Sequence, residues 1–167
     1  MKKIISLFIL VFVFIACSKN HSEKTSFSKE ALTETLLTRE GNQVSFESIV
    51  KENQGKTTVI EIWASWCGDC IQAIPKLKEL QANHPDVNYV FISMDKSDTA
   101  WQNGIEKHQL NGAHYMANDQ MKGEFAKAID VDWIPRYIVI DKTGKIALYH
   151  AIETDFDQIN KTITELK

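Results

Sequence analysis

Val59-Ile60-Glu61-Ile62-Trp63-Ala64-Ser65-Trp66-Cys67-Gly68-Asp69-Cys70 carries the reading of this chain. Two thiols stand two residues apart, immediately after a run of β-formers (Thr57 to Trp63) and immediately before a helical pattern that begins at Ile71. A Cys-x-x-Cys pair at a strand-to-helix junction can close a small disulfide loop. The free N–H groups and positive dipole end of the helix sit beside the first sulfur and stabilise a thiolate there. That arrangement suits thiol–disulfide exchange. A zinc site is the competing use of the same spacing, but zinc needs two further ligands. No second cysteine pair or His-x-x-x-His spacing exists, and His84, His108, His114 and His150 are scattered, as surface or loop residues would be. No metal and no organic cofactor are therefore expected.

Outward from this motif, the 167 residues amount to one domain. Met1-Lys2-Lys3 is a basic start, and Ile4 to Ile15 is an almost unbroken apolar run too short to span a bilayer comfortably. Such a segment reads as an export signal. Phe14-Ile15-Ala16-Cys17 resembles a bacterial lipobox, in which the cysteine becomes the acylated first residue. The expected division is a lipoprotein signal peptide at 1–16, an acylated Cys17 with a flexible tether through 28, and a folded domain at 29–167. Removing the signal leaves 17 basic against 22 acidic side chains, or −5, with no basic run, so nucleic acid is not expected as a partner. Acylation of Cys17 would leave two thiols, too close together to staple the chain at long range. Exported proteins generally use cysteines for stabilising bridges, so this pair is better explained by catalysis.

Further along the chain, Arg39-Glu40-Gly41-Asn42 has the composition of a hairpin turn, and Phe46 to Val50 forms a short bridging helix or turn. Thr57 to Trp63 and Val87 to Met94 read as buried strands, with a helix from Cys67 to about Asn83 between them. Asp95, Ser97 and Asp98 are cap-like residues before a helix at Thr99 to His108, and Asp119 to Ile129 is read as another helix. Arg136 to Ile140 and Lys145 to Tyr149 are strands joined by the turn Asp141-Lys142-Thr143-Gly144. An amphipathic helix with Phe156, Ile159 and Ile163 on one face closes the chain. The order implies an α/β fold with a mixed central sheet flanked by helices.

With these residues in place, the chain resembles the thioredoxin superfamily, and within it the TlpA/ResA-like membrane-tethered thiol–disulfide oxidoreductases. The likeness runs from about Ala31 to Lys167. VIEIWASWCGDC resembles the family's strand and active-site turn, and Pro75 matches the proline of its active-site helix. Asp130-Val131-Asp132-Trp133-Ile134-Pro135, with the strands after it, resembles the cis-proline loop. The roughly forty residues between Met94 and Ile134 resemble the helix-and-strand insertion of the TlpA/ResA group. Three positions depart from the pattern: Gly-Asp between the cysteines instead of Gly-Pro, Ala73 where many relatives carry Glu, and Arg136 where Thr is usual. These departures bear on redox potential and substrate.

The resemblance implies a thioredoxin-like fold with an N-terminal hairpin. It also implies Cys67 as nucleophile and Cys70 as resolving thiol, paired as a redox disulfide. Glu61 occupies the place of a buried carboxyl that takes the resolving thiol's proton; the alternative is a core-edge Glu reaching solvent. Pro135 is expected to be cis, leaving the Ile134 backbone free to pair with a substrate strand. Trp66 is expected to be a contact surface and Trp63 a core residue, while Trp133 either lines the substrate groove or packs. Arg136 either meets an acidic substrate or is a solvated strand residue. Asp69 places a negative charge beside the sulfur and opposes thiolate formation, which favours a reductase. The implied partners are protein disulfides, such as those of apocytochromes, and a membrane electron donor, with the chain anchored by lipid and facing the periplasm or another extracytoplasmic space. An oxidase or isomerase on the same fold, or a non-catalytic binding module, are the alternatives.

Overall fold

The structure, a computed structural model, describes residues 24–167. The expected signal segment, Cys17 and the first part of the tether lie outside the described residues. The last part of that tether, 24–28, is docked on the domain. Phe27 is buried edge-on against Phe46 (centroids 4.8 Å apart), the Thr25 carbonyl accepts the Ile146 N–H at 3.0 Å, and Lys24 pairs with Asp130 at 2.7 Å. Packing thus begins before residue 29. Phe27→Ala is expected to cost about 3 kcal/mol, the usual scale for a buried Phe→Ala change. Urea denaturation checks this, and a loss below about 1 kcal/mol would mean the segment is not held.

The described chain runs α1 (Lys29–Thr33), β1 (Thr35–Thr38), β2 (Gln43–Ser45), α2 (Phe46–Glu52), β3 (Thr58–Trp63), α3 (Gly68–Asn83), β4 (Asn88–Ser93), α4 (Asp98–His108), β5 (Ala113–Ala117), α5 (Glu124–Ala128), β6 (Arg136–Ile140), β7 (Ile146–Ala151) and α6 (Phe156–Glu165). Seven strands form one mixed sheet in the order β2-β1-β5-β4-β3-β6-β7. The units β3-α3-β4 and β4-α4-β5 are parallel and step in one direction, so right-handed crossovers place α3 and α4 on the same face. α6 joins them by packing Phe156 on Tyr137 and touching α3. On the opposite face α1, α2 and α5 meet around Phe27, Phe46 and Phe125.

One helix of the sequence reading is divided in the structure. Asp119 to Ile129 is not one helix but a 3₁₀ turn at Gln120–Lys122 followed by α5. The Asp119 carboxylate turns onto the N–H of Glu124 and caps α5. It lies where a Cβ on residue 123 would stand, so the break needs Gly123. β5, which the composition does not announce, fills the sheet between β1 and β4. His114 and His84 are buried rather than at the surface. His114 stacks on Phe91 and His84 bonds Asn160 at 2.6 Å. Burial lowers the His114 pKa to about 4, keeping it neutral.

Candidate active site

β3 and β6 are antiparallel neighbours in the centre of the sheet, and the site forms at the junction where β3 hands the chain to α3. Six consecutive buried residues make β3 a rigid platform. The chain then turns through Ala64-Ser65-Trp66, and Cys67 is the N-cap of α3. Its Sγ accepts the N–H of Cys70 at 3.1 Å, and its own N–H bonds Ala64 O. Cys67 and Cys70 are joined as a disulfide, with Cα atoms 5.3 Å apart. Both sulfurs are largely covered, Cys67 less completely (6% exposed) than Cys70 (1%). The sixteen-residue helix directs its positive end at the Cys67 sulfur, while the Asp69 side chain in its first turn adds a negative charge.

Asp95 was read from the sequence as a cap; it is instead a buried clamp on this turn. Its carboxylate accepts the Ser65 N–H at 3.0 Å, the Ser65 hydroxyl at 2.7 Å and the Ser93 hydroxyl at 2.7 Å. Three donors satisfy a charge that would otherwise be costly to bury. Ser97, two residues on, is the true cap of α4. From α4, Gly104 approaches so closely that a Cβ there would stand 2.7 Å from the Ser65 Cβ and 3.1 Å from the Trp63 ring. The turn before Cys67 is therefore held from both sides.

Opposite the cysteines runs the segment 130–135. The Ile134–Pro135 peptide bond is cis, and the Ile134 carbonyl oxygen lies 3.6 Å from Cys67 Sγ. Among the described residues, Trp66 and Trp133 are the two large apolar side chains left exposed, at 56% and 58%. They flank a cleft of about 430 Å³, with Met121, Cys67 and Ile134 in its lining. Trp63 is buried in the core. Trp133 thus lies in the cleft wall and is not packed away.

Arg136 is not a solvated strand residue. Its side chain, 15% exposed, donates to Asp132 at 2.6 Å and to the His150 carbonyl at 3.3 Å, bracing the cis-proline segment from behind. Tyr149 O–H adds a bond to Ile129 O at 2.6 Å. The Asp132 carboxyl is held below its usual range by the hydrogen bond from Arg136.

Glu61 is 3% exposed, so it does not reach solvent. It shares its strand face with Trp63 and, across β6, with Tyr137, whose hydroxyl donates to Oε1 at 3.3 Å. Oε2 has no partner. Burial raises the carboxyl's pKa to about 8, and the Tyr137 bond only partly offsets it. Among the described residues no group of three His, Cys, Asp or Glu is placed to hold a metal ion. The arrangement can perform two-electron disulfide exchange. The signal that sequence reasoning lacked was tertiary: Asp95 and Ser65 are thirty positions apart, and Tyr137 looks like one more apolar strand residue.

The profile of the Redoxin family matches residues 17–163. Thiol-disulfide oxidoreductase ResA of Bacillus thuringiensis is 25% identical over 158 residues, spanning 87% of this chain and 87% of its own. A thioredoxin-like protein of Haemophilus influenzae is 28% identical over 148 residues, covering 89% of this chain and 83% of its own. A Bacteroides vulgatus solution structure described as a thiol-disulfide oxidoreductase superposes with a TM-score of 0.65 at 31% identity, covering 81% of this chain and 88% of that one. A secreted Mycobacterium tuberculosis disulfide oxidoreductase superposes with a TM-score of 0.63 at 24% identity, covering 83% and 100%; that likeness concerns the fold alone.

Proposed function

The chain belongs to the Redoxin family, as a TlpA/ResA-like thiol–disulfide oxidoreductase of the thioredoxin superfamily, and from that premise we propose that Cys67 and Cys70 reduce disulfides in exported proteins. The observation that carries this reading is the disulfide itself, set at the start of α3 against the Ile134 carbonyl and bordered by an open apolar cleft. In the dithiol form, Cys67 is ionised with help from the Cys70 N–H and the helix end. Its sulfur attacks one sulfur of the substrate disulfide. That bond breaks, a mixed disulfide forms, and the first substrate sulfur leaves as a thiolate and takes up a proton. Cys70 then gives its proton to Glu61 and attacks Cys67 Sγ, expelling the second substrate sulfur. Two electrons have passed to the substrate, and the enzyme is left as the Cys67–Cys70 disulfide. A dithiol donor at the membrane returns it to the reduced form.

Trp66 and Trp133 supply the apolar walls for a substrate segment, and Ile134, ahead of cis Pro135, offers its backbone to that segment as an added strand. Export by residues 1–16 and acylation at Cys17 would hold the domain at a membrane, with apocytochrome disulfides among its substrates. Asp69 supports this direction of transfer: its charge beside the sulfur opposes the thiolate and so favours the oxidised enzyme. The reduction potential of the Cys67–Cys70 pair, measured by equilibration with glutathione, is expected to lie below about −200 mV, toward the thioredoxin end of the scale. A value near about −120 mV, as strong oxidants show, would overturn the reductase assignment.

A further inference from the structure

Among the described residues the Glu61 side chain has a single polar partner. The register of β3 against β6 sets it directly beside Tyr137, and that hydroxyl binds Oε1. On its other flank β4 supplies Phe91. The buried residues of α3 are Cys70, Ala73, Ile74, Leu77 and Leu80, and α6 brings Phe156 onto the Tyr137 ring at 5.3 Å. Apart from Cys70, none of these can ionise or donate strongly. Beyond β7, Glu153 is, among the described residues, the other acid whose field reaches Tyr137, and one of its oxygens is also buried with no partner among them. Tyr137 itself is fully buried, and burial beside two acids holds its hydroxyl protonated, a donor at every working pH.

We propose that Tyr137 is the positioning residue for the buried proton acceptor: by occupying Oε1 it leaves Oε2 of Glu61 as the single oxygen able to take the Cys70 proton. In that step the Cys70 S–H bond breaks toward Oε2. The freed sulfur electron pair forms the bond to Cys67, and the mixed-disulfide bond breaks toward the departing substrate sulfur. The Tyr137 bond also favours the ionised carboxylate, the form that can accept. A phenylalanine here would keep the packing against Phe156 and remove only this donor.

The inference rests on Glu61 acting as acceptor, and the test separates the two. Tyr137→Phe is examined by isotope-edited infrared titration of the Glu61 carboxyl and by stopped-flow resolution of a mixed disulfide on Cys67. The Glu61 titration is expected to rise by about one unit, and resolution at pH 7 to slow about tenfold, the rate counterpart of that shift. In the Glu61→Gln background the same change is expected to add no further loss. A Glu61 titration that stays in place, or a loss that persists undiminished in that background, overturns the positioning role. A titration that moves while neither variant alters the rate upholds the Tyr137 contact and overturns the acceptor role of Glu61.

Discussion

Replacing Cys67 with serine is expected to lower the turnover of insulin-disulfide reduction by at least about 10³-fold, because the attacking sulfur has no substitute. Cys70 cannot take its place: it is 1% exposed, one turn inside α3, and behind Cys67 as seen from the cleft. Cys70→Ser is expected to behave differently. The first attack survives, the mixed disulfide on Cys67 is no longer resolved, and protein partners accumulate as adducts that dithiothreitol releases. Non-reducing gels of the two variants after exposure to exported proteins provide the measurement. Adducts on Cys70→Ser and none on Cys67→Ser are the expected pattern. Adducts in the reverse pattern would exchange the roles of the two sulfurs. Equal turnover in wild type and Cys67→Ser would remove the enzyme reading of this pair and leave a binding module. Because both side chains are small and sit at a helix start, neither change is expected to alter the fold.

Much of this site is legible in the residue pattern alone. The run from Thr57 to Trp63 has the length and β-branched content of a buried strand, and the cysteine spacing at its end admits few uses. The proline of the 130–135 segment and the Asp141–Gly144 turn are likewise local signals, carried by residues whose backbone preferences are strong. What stayed hidden depends on proximity. Ala113–Ala117 holds a histidine and two alanines and has no clear alternation, and it is a strand because β1 and β4 pair with it on either side. α1 is a five-residue helix, too short to form without the neighbours it packs on. Asp95 resembles any residue in a helix-start cluster until Ser65 is brought beneath it. Arg136 looks solvated on a strand end, yet Asp132 is four residues back and folds onto it across the cis bond. Glu61 was the informative exception: a carboxylate inside an apolar run contradicts the pattern around it, and such contradictions gather where function requires them.

Glu61→Gln is expected to raise stability while lowering activity. In the unfolded chain a glutamate ionises near pH 4.5, whereas the buried carboxyl keeps its proton to about pH 8. Between those values the native state holds one proton more than the unfolded state, so wild-type stability falls as pH rises across that window. The contribution is fully present below about pH 4.5 and lost by about pH 8. Glutamine has no proton to lose, and its amide oxygen can still accept the Tyr137 hydroxyl. The variant should therefore match wild type near pH 4 and exceed it at pH 8 by up to roughly 4 kcal/mol. Guanidinium melts across the range check this, and a difference that does not grow with pH would show that the carboxyl is ionised when folded. Kinetically, resolution of the mixed disulfide should slow by about 10²-fold, the usual share of a positioned base, and lose its inflection near pH 8. The first attack by Cys67 should be unchanged, since the proposed acceptor serves the second thiol. Unaltered resolution from pH 6 to 9, in a variant that shows the stability gain, would leave a buried acid that weakens the fold without serving the exchange.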